Sequence, residues 1–254
     1  MTSAWASTYG YAARFGVILP SNNTVIEPEL WRMRSPGLTF HAQRVRSHGN
    51  TPEGIVQMER GVADAISILA PAKLDAVVYA CLATSLVKGP AWTVDVESRI
   101  AREAGTAGTS AASATLDALR SLGASRVALA TPYRRQVQER VAPYFRAAGM
   151  TVSSEANLNV LDSFTLWRTT PAQVKELVAR LELAGAEAVC LLATDLPSCE
   201  AIDELEQAAG LPVVTTNQAI LWKLKSLASI ADSVAGFGRL LAVGRTSPSN
   251  EASI

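Results

Sequence analysis

The chain repeats itself, and the repeat limits what it can fold into. Asp75-Ala-Val-Val-Tyr-Ala-Cys81-Leu-Ala-Thr-Ser-Leu86 matches Glu187-Ala-Val-Cys-Leu-Leu-Ala193-Thr-Asp-Leu196, which sets Cys81 and Ala193 112 residues apart. In each copy an acidic residue precedes a short apolar run, which ends on a small residue and a hydroxyl-bearing turn. Phe15-Gly-Val-Ile-Leu-Pro20-Ser pairs with Ser125-Arg-Val-Ala-Leu-Ala-Thr-Pro132-Tyr at an offset of 110, and Ala104–Leu122 pairs with Ala209–Leu227 at an offset of 105. Any two units of alternating strands and helices share part of such a pattern. Three matched segments in one order go further and point to two similar halves.

Within each half, apolar runs alternate with helical patterns. The runs are Phe15–Leu19, Ala76–Ala80, Val127–Ala130, Ala188–Leu192 and Pro212–Thr215; the helical segments are Pro52–Leu69, Val94–Glu103, Ala111–Leu122, Arg135–Ala148, Pro171–Ala184 and Ala201–Ala209. Continuously apolar strands separated by helices imply parallel sheets covered on both faces. Gly123, Gly149, Gly185 and Gly210 stand where left-handed helix stops are wanted. The 254 residues are 48% hydrophobic and 18% charged, enough to bury a substantial core. Zero net charge gives no electrostatic reason to bind nucleic acid or an anionic membrane, and no apolar run approaches a membrane span. Without a signal-peptide pattern, and with three cysteines (Cys81, Cys190 and Cys199) at no metal-ligand spacing, a reduced cytoplasmic protein without a metal site is expected.

In parallel sheets ligands bind beyond the carboxyl ends of the strands. Two similar halves would therefore face matched strand ends across one cleft. Cys81 would oppose Ala193, Pro20–Thr24 would oppose Thr131–Tyr133, and Thr109–Ser110 would oppose Thr215–Asn217. These turns are rich in hydroxyls and amides (Ser21, Asn23, Thr84, Ser85, Tyr133, Thr194) and poor in charge. Such donors, with helix N-terminal N–H groups, suit a small mono- or dicarboxylate. Cys81, at a strand end before a Thr-Ser turn, is the candidate nucleophile in a setting that favours thiolate; its plain alternative is a buried core thiol. Cys190 and Cys199 read as structural. Asn23 can also cap a helix, and Tyr133 can be packing. Glu27 is either an acid–base group or an ordinary helix-start acid. His41 and His48 are too isolated to assign. Trp31 and Trp92 look exposed and lend weak support to a homo-oligomer.

Several motifs resemble one family. Phe15-Gly-Val-Ile-Leu-Pro-Ser-Asn-Asn23-Thr-Val-Ile-Glu27 is similar to the opening of bacterial maleate cis-trans isomerases. Tyr79-Ala-Cys81-Leu-Ala-Thr resembles the segment of their first catalytic cysteine, Ala130-Thr-Pro-Tyr133 their substrate-contacting turn, and Ala193-Thr-Asp-Leu-Pro-Ser198 the segment of their second cysteine. The close, Gly236-Phe-Gly-Arg-Leu-Leu241, resembles that of the same group, which includes the arylmalonate decarboxylases of the aspartate/glutamate racemase superfamily. The resemblance implies an α/β fold of two Rossmann-like (flavodoxin-like) parallel-sheet lobes about a pseudo-twofold axis, with the site in the cleft between them. The lobes would be residues 11–115 plus 226–245, and 116–225, with flexible termini at 1–10 and 246–254. It implies a cofactor-independent enzyme in which Cys81 adds to maleate, the adduct rotates, and elimination gives fumarate. Asn23 and Tyr133 would hold carboxylates. The chain departs from the family at two places, with Ala193 for the second cysteine and Asp162-Ser163 for an Asp-Asn pair. Ala193 is either an introduced replacement or natural; if natural, Asp195 or water would handle protons. Decarboxylation or racemisation beside a carboxylate, and non-catalytic carboxylate binding, remain the alternatives.

Overall fold

The computed structural model describes residues 9–242, and the structural statements below concern these residues. The first half builds a sheet from β1 (Ala13–Pro20), β2 (Leu38–Val45), β3 (Ala76–Tyr79) and β4 (Ala107–Ser110), in the order β2-β1-β3-β4. The second repeats it with β5 (Arg126–Thr131), β6 (Thr151–Asn157), β7 (Ala188–Leu191) and β8 (Val213–Thr215), in the order β6-β5-β7-β8. Every neighbouring pair is parallel. The expected α/β architecture of two similar parallel-sheet lobes is therefore present.

The helices of the first lobe are α1 (Ile26–Met33), α2 (Pro52–Glu59), α3 (Val62–Leu69), α4 (Leu82–Lys88), α5 (Pro90–Ala104) and α6 (Ala111–Ser121). Those that follow are α7 (Arg135–Gln138), α8 (Val141–Ala147), α9 (Pro171–Ala179), α10 (Ile202–Ala209), α11 (Thr216–Leu227) and α12 (Gly238–Ala242). The expected helix over residues 52–69 is broken at Arg60–Gly61, and that over 135–148 at Glu139–Arg140. Gly123, Gly149, Gly185 and Gly210 all adopt positive φ, the backbone that a left-handed stop requires.

The acidic residues that open the long repeat have matching jobs. Asp75 accepts the N–H of Arg14 at 2.7 Å, and Glu187 accepts the N–H groups of Ser125 and Arg126 at 2.6 and 2.8 Å. Each carboxylate thus ties the start of a central strand to its neighbour, and the bonds to Ser125 and Arg126 hold the carboxyl of Glu187 below its usual pKa. The third repeat also has a local cause. Ser110 caps α6 through the N–H of Ser113, and Thr215 caps α11 through the N–H of Gln218.

The lobes meet through α6 and α11, which pack against each other; α11 also touches α1, β3 and β4 of the first lobe. Ile220, Leu221 and Leu224 on α11 are fully buried, as is Leu119 on α6, and one apolar core runs through both sheets. A second core fills the outer face of the first sheet, where Ile18, Val77 and Tyr79 meet Val62, Ile66, Val96 and Ile100. The expected lobe boundaries at 115/116 and 225/226 fall inside α6 and α11, which run unbroken across them. In the tail, Asp232 bonds Ser35 of the first lobe, whereas α12 packs on β8, α10 and α11, with its N-terminal N–H groups held by Asp203 and Glu206. The exposure expected of Trp92 needs correction. Trp92 is buried edge-on against Tyr79, with ring centroids 5.2 Å apart, whereas Trp31 is partly exposed as expected. Expectations for residues 1–8 and 243–254 lie outside the described residues.

Because one core serves both lobes, equilibrium unfolding should be a single transition. Leu224→Ala should lower stability by about 2–5 kcal/mol, read as a lower urea midpoint with unchanged slope. Two separate transitions would contradict the shared core.

Candidate active site

Beyond the carboxyl ends of β1, β3, β5 and β7 lies a narrow cavity of ≈ 50 Å³. Its walls include Asn22, Asn50 and Cys81 from the first lobe, and Tyr133, Arg134, Ser163, Thr194 and Asp195 from the second. Water needs roughly 10–15 Å³ of such space each, so the occupant is small. Pro20, Ile55, Met58, Leu82, Val137 and Leu166 supply an apolar lining.

Cys81 stands one residue beyond the end of β3, at the N-cap position of α4, and it is 6% exposed. The Thr84 hydroxyl donates to its Sγ at 3.2 Å and is itself joined to the Tyr79 hydroxyl at 2.9 Å. Burial pushes the thiol pKa up. The Thr84 hydroxyl and the N–H groups of Thr84 and Ala83 pull it down, while the charge of Asp195 adds to the rise; the result is a raised value. This corrects the expectation that a strand end beside a helix start favours the thiolate. Here desolvation outweighs the helix donors.

Asp195 carries the cavity's carboxyl group. Burial raises its pKa to about 6, opposed by its own backbone N–H, and it has no ion-pair partner among the described residues. Its charge also reaches Tyr133, whose phenol burial holds well above the usual range. The hydroxyl of Ser163, Oδ1 of Asn22 and Nε of Arg134 are buried without a hydrogen-bond partner.

Other expected site residues lie behind the wall. Asn23 is buried; its Oδ1 caps α1 through the N–H groups of Val25 and Ile26, and its Nδ2 donates to Thr194 Oγ1 at 3.0 Å. Thr194 Oγ1 in turn donates to the carbonyl of Ala80 at 3.2 Å, one residue before the thiol. Ser21 is exposed and accepts the N–H of Ser47, so it shapes a loop and does not line the cavity. Thr84 backs the sulfur. Ser85 and Ala193 are buried outside the lining, and Ala193 donates its N–H to Thr216. The pairs Thr109–Ser110 and Thr215–Asn217 are interior too: the hydroxyls of Ser110 and Thr215 cap helix starts, that of Thr109 is buried without a partner, and Asn217 serves Glu29 and the carbonyl of Thr194. Glu27 ion-pairs with Arg44, His41 is exposed on β2, and His48 is exposed between Ser47 and Gly49, which line the cavity without it. Cys190 sits inside β7 and Cys199 beside Glu29, each with its thiol pKa pushed far up by burial.

Sequence reasoning missed Asn22, Asn50 and Arg134. Arg134 directly follows the singled-out Tyr133, and Asn22 directly precedes Asn23, so adjacency was the available signal. It also missed Glu29. This buried carboxylate accepts the N–H groups of Ser198 and Cys199 at 2.6 and 2.9 Å and Nδ2 of Asn217 at 2.7 Å, and it lines a separate groove of ≈ 390 Å³ that does not include Cys81.

Two parallel-sheet lobes enclosing one thiol and an array of small polar donors define a class of protein, the cleft enzymes of the aspartate/glutamate racemase superfamily. The chain belongs to the arylmalonate decarboxylase family, whose model matches residues 15–241 and whose close relatives include maleate isomerases. It is 32% identical over 238 residues to the maleate isomerase of Nocardia farcinica, covering 90% of this chain and 95% of that one. A crystal structure of a maleate isomerase variant from Pseudomonas putida S16 with maleate is similar at a TM-score of 0.87 and 27% identity, covering 91% and 98% of the two chains. A Nocardia farcinica maleate cis-trans isomerase mutant with a covalently bound succinylcysteine intermediate is similar at 0.86 and 31%, covering 91% and 98%.

Two substitutions should move the Cys81 thiol in opposite directions. Thr84→Val removes a donor and should shift the pH midpoint of iodoacetamide alkylation upward; Asp195→Asn removes a neighbouring negative charge and should shift it downward. Asp195→Asn should also stabilise the fold. A carboxyl raised from 3.8 to about 6 favours folding only while protonated, so that contribution is present below pH 4 and lost as pH rises through 6. The variant should therefore melt higher than the parent at pH 8, with the gain gone at pH 4. Equal melting at both pH values would show that Asp195 is not desolvated.

Proposed function

We propose that the protein is a maleate isomerase-like enzyme that interconverts the cis and trans forms of a small unsaturated dicarboxylate through a covalent adduct on Cys81. The observation that carries this reading is the buried Cys81 thiol on the wall of a cavity with room for only a few water-sized groups. That size supports a four-carbon acid over an aryl-bearing one. The relatives support the same chemistry, since a succinylcysteine has been captured in one of them.

The reaction proceeds without a change of oxidation state. The Cys81 S–H bond breaks and its proton passes to the Asp195 carboxylate. The Sγ–C bond forms as the alkene π pair moves into the neighbouring carboxylate, giving an enediolate. The remaining C–C bond is single and rotates. The enediolate then expels the sulfur, the double bond re-forms in the trans sense, and the proton returns from Asp195 to Sγ. The thiol splits one hard rotation into easier steps. Tyr133 and Ser163 hold carboxylate oxygens; Asn23 and Thr194 act indirectly, by fixing the turn that carries Asp195. On this reading the chain works with one thiol, and Asp195 does what a second cysteine would do beside Ala193.

Conversion of maleate to fumarate, followed by proton NMR, tests this directly. Cys81→Ser should reduce the rate by more than about 1000-fold. In the parent the rate should rise with pH through about 6 as Asp195 ionises; Asp195→Asn should lower it by about 100- to 10,000-fold and abolish that limb. Ala193→Cys should change it less than about threefold, and a large gain would remove Asp195 from its role. Deuterium exchange at a saturated α-carbon, or loss of carbon dioxide from a malonate, without isomerisation would transfer the reading to racemase or decarboxylase chemistry.

A further inference from the structure

The second lobe contributes a cation to the cavity that the mechanism above does not use. Arg134 lies in the turn between β5 and α7, and its side chain stands between the inner cavity and a shallower outer groove beside Arg135, Gln136, Glu139 and Asn159. Its Nε is buried with no hydrogen-bond partner, and it forms no ion pair among the described residues, the cavity's own Asp195 included. A buried guanidinium N–H left unpaired is costly, so its donor capacity awaits an acceptor that is not part of the fold. The turn holding it is well fixed. Asn157 Nδ2 donates to the carbonyl of Tyr133 at 2.7 Å and to Gln138 at 2.9 Å, and the N–H of Val160 donates to the carbonyl of Pro132 at 2.9 Å. Across the same cavity the Ser163 hydroxyl, on a residue only 8% exposed, is also unpartnered. Two idle donors, one of them cationic, therefore line a space that also holds the thiol.

We propose that Arg134, together with the Ser163 hydroxyl, receives the second carboxylate of the ligand, so that the cavity selects dianionic acids over monoanionic acids of the same length. The inference rests on the reading of Cys81 as the centre of a carboxylate site and adds the residue that sets its charge preference. A guanidinium bond to a carboxylate is charge-assisted and directional, which a monoanion with a methyl group at that end cannot exploit. Asn22 Oδ1, the third unpartnered atom, is an acceptor; it faces a carboxylate well only with its amide turned over, which would exchange its bond of 3.4 Å to the carbonyl of Ser163 for one to the ligand.

The test uses two unreactive four-carbon acids, succinate and butyrate, as protectants of Cys81 against iodoacetamide, with the modified peptide quantified by mass spectrometry. In Arg134→Met the protection constant of succinate should weaken by about 10- to 100-fold, while that of butyrate stays within about twofold. Arg134→Lys should recover part of the succinate preference, and this variant serves in place of Arg134→Met if the latter fails to fold. An unchanged succinate constant, or a loss shared equally by butyrate, overturns the role of Arg134 and leaves the isomerase reading standing. Failure of succinate to protect the parent protein at any concentration overturns that reading and this inference with it.

Discussion

The Thr194 hydroxyl is the point on which the cleft depends. It belongs to the second lobe, accepts from Asn23 and donates to the carbonyl of Ala80, both in the first. The backbone carbonyl of Thr194 is held by Asn217, which also binds Glu29, and Glu29 grips the turn at Ser198 and Cys199. This places a chain of buried, hydrogen-bonded polar groups across a seam that is otherwise apolar. Burial makes such a chain strong when complete and costly when any member is lost. Apolar packing between α6 and α11 brings the lobes together, but it tolerates small slides. The polar chain fixes which residue of one lobe faces which residue of the other, and so where Asp195 stands relative to Cys81.

The fold was legible because the repeat is physical. A carboxylate pinning the start of a central strand and a hydroxyl capping the helix after an outer strand are local needs, and both lobes meet them with the same residue classes. Central strands were legible because they are apolar throughout: β3 and β7 are buried at every position. The strands β2 and β6 were not, because they are edge strands whose exposed positions carry His41, Arg44, Thr151 and Glu155, so no continuous apolar run marks them. β4 escaped for another reason: Ala107-Gly-Thr-Ser110 has no large side chain, since Gly108 lies against the backbone of Glu97 and the side chain of Ile100, where a Cβ would have no room.

The site was half legible, and the division has a cause. Cys81, Thr194 and Asp195 sit in the turn directly after a strand, where topology alone fixes their address; Tyr133 sits in such a turn as well. Asn50 and Ser163 lie on long connections whose return to the cavity is decided by tertiary packing. Ser163 was reached only through a family motif, and Asn50 not at all. The hydroxyls of Ser21, Ser110 and Thr215 were read as ligand donors because a hydroxyl beside a strand end looks the same whether it donates to a ligand or accepts a backbone N–H. Only the partner tells them apart. In this chain most of those hydroxyls already have partners; Ser163, which does not, lines the cavity, while the unpartnered Ser85 and Thr109 lie outside it.

That distinction also bears on the broken symmetry of the repeat. The two central strands end alike, yet one ends on a thiol and the other on Ala193, a methyl group with no chemistry. Two residues further on, the first copy has an uncharged Ala83 and the second has Asp195. The reactive groups are thus offset by two positions between the walls and differ in kind, a nucleophile on one side and an acid–base group on the other. Burial and the charge of Asp195 both disfavour the Cys81 thiolate, and burial disfavours the Asp195 carboxylate. Once Asp195 has ionised, the one remaining proton stays on the sulfur. A ligand that brings negative charge into this space raises that proton's affinity for the site, unless a cation meets the charge first. The unpaired guanidinium of Arg134, on the rim of the same cavity, is placed to meet it.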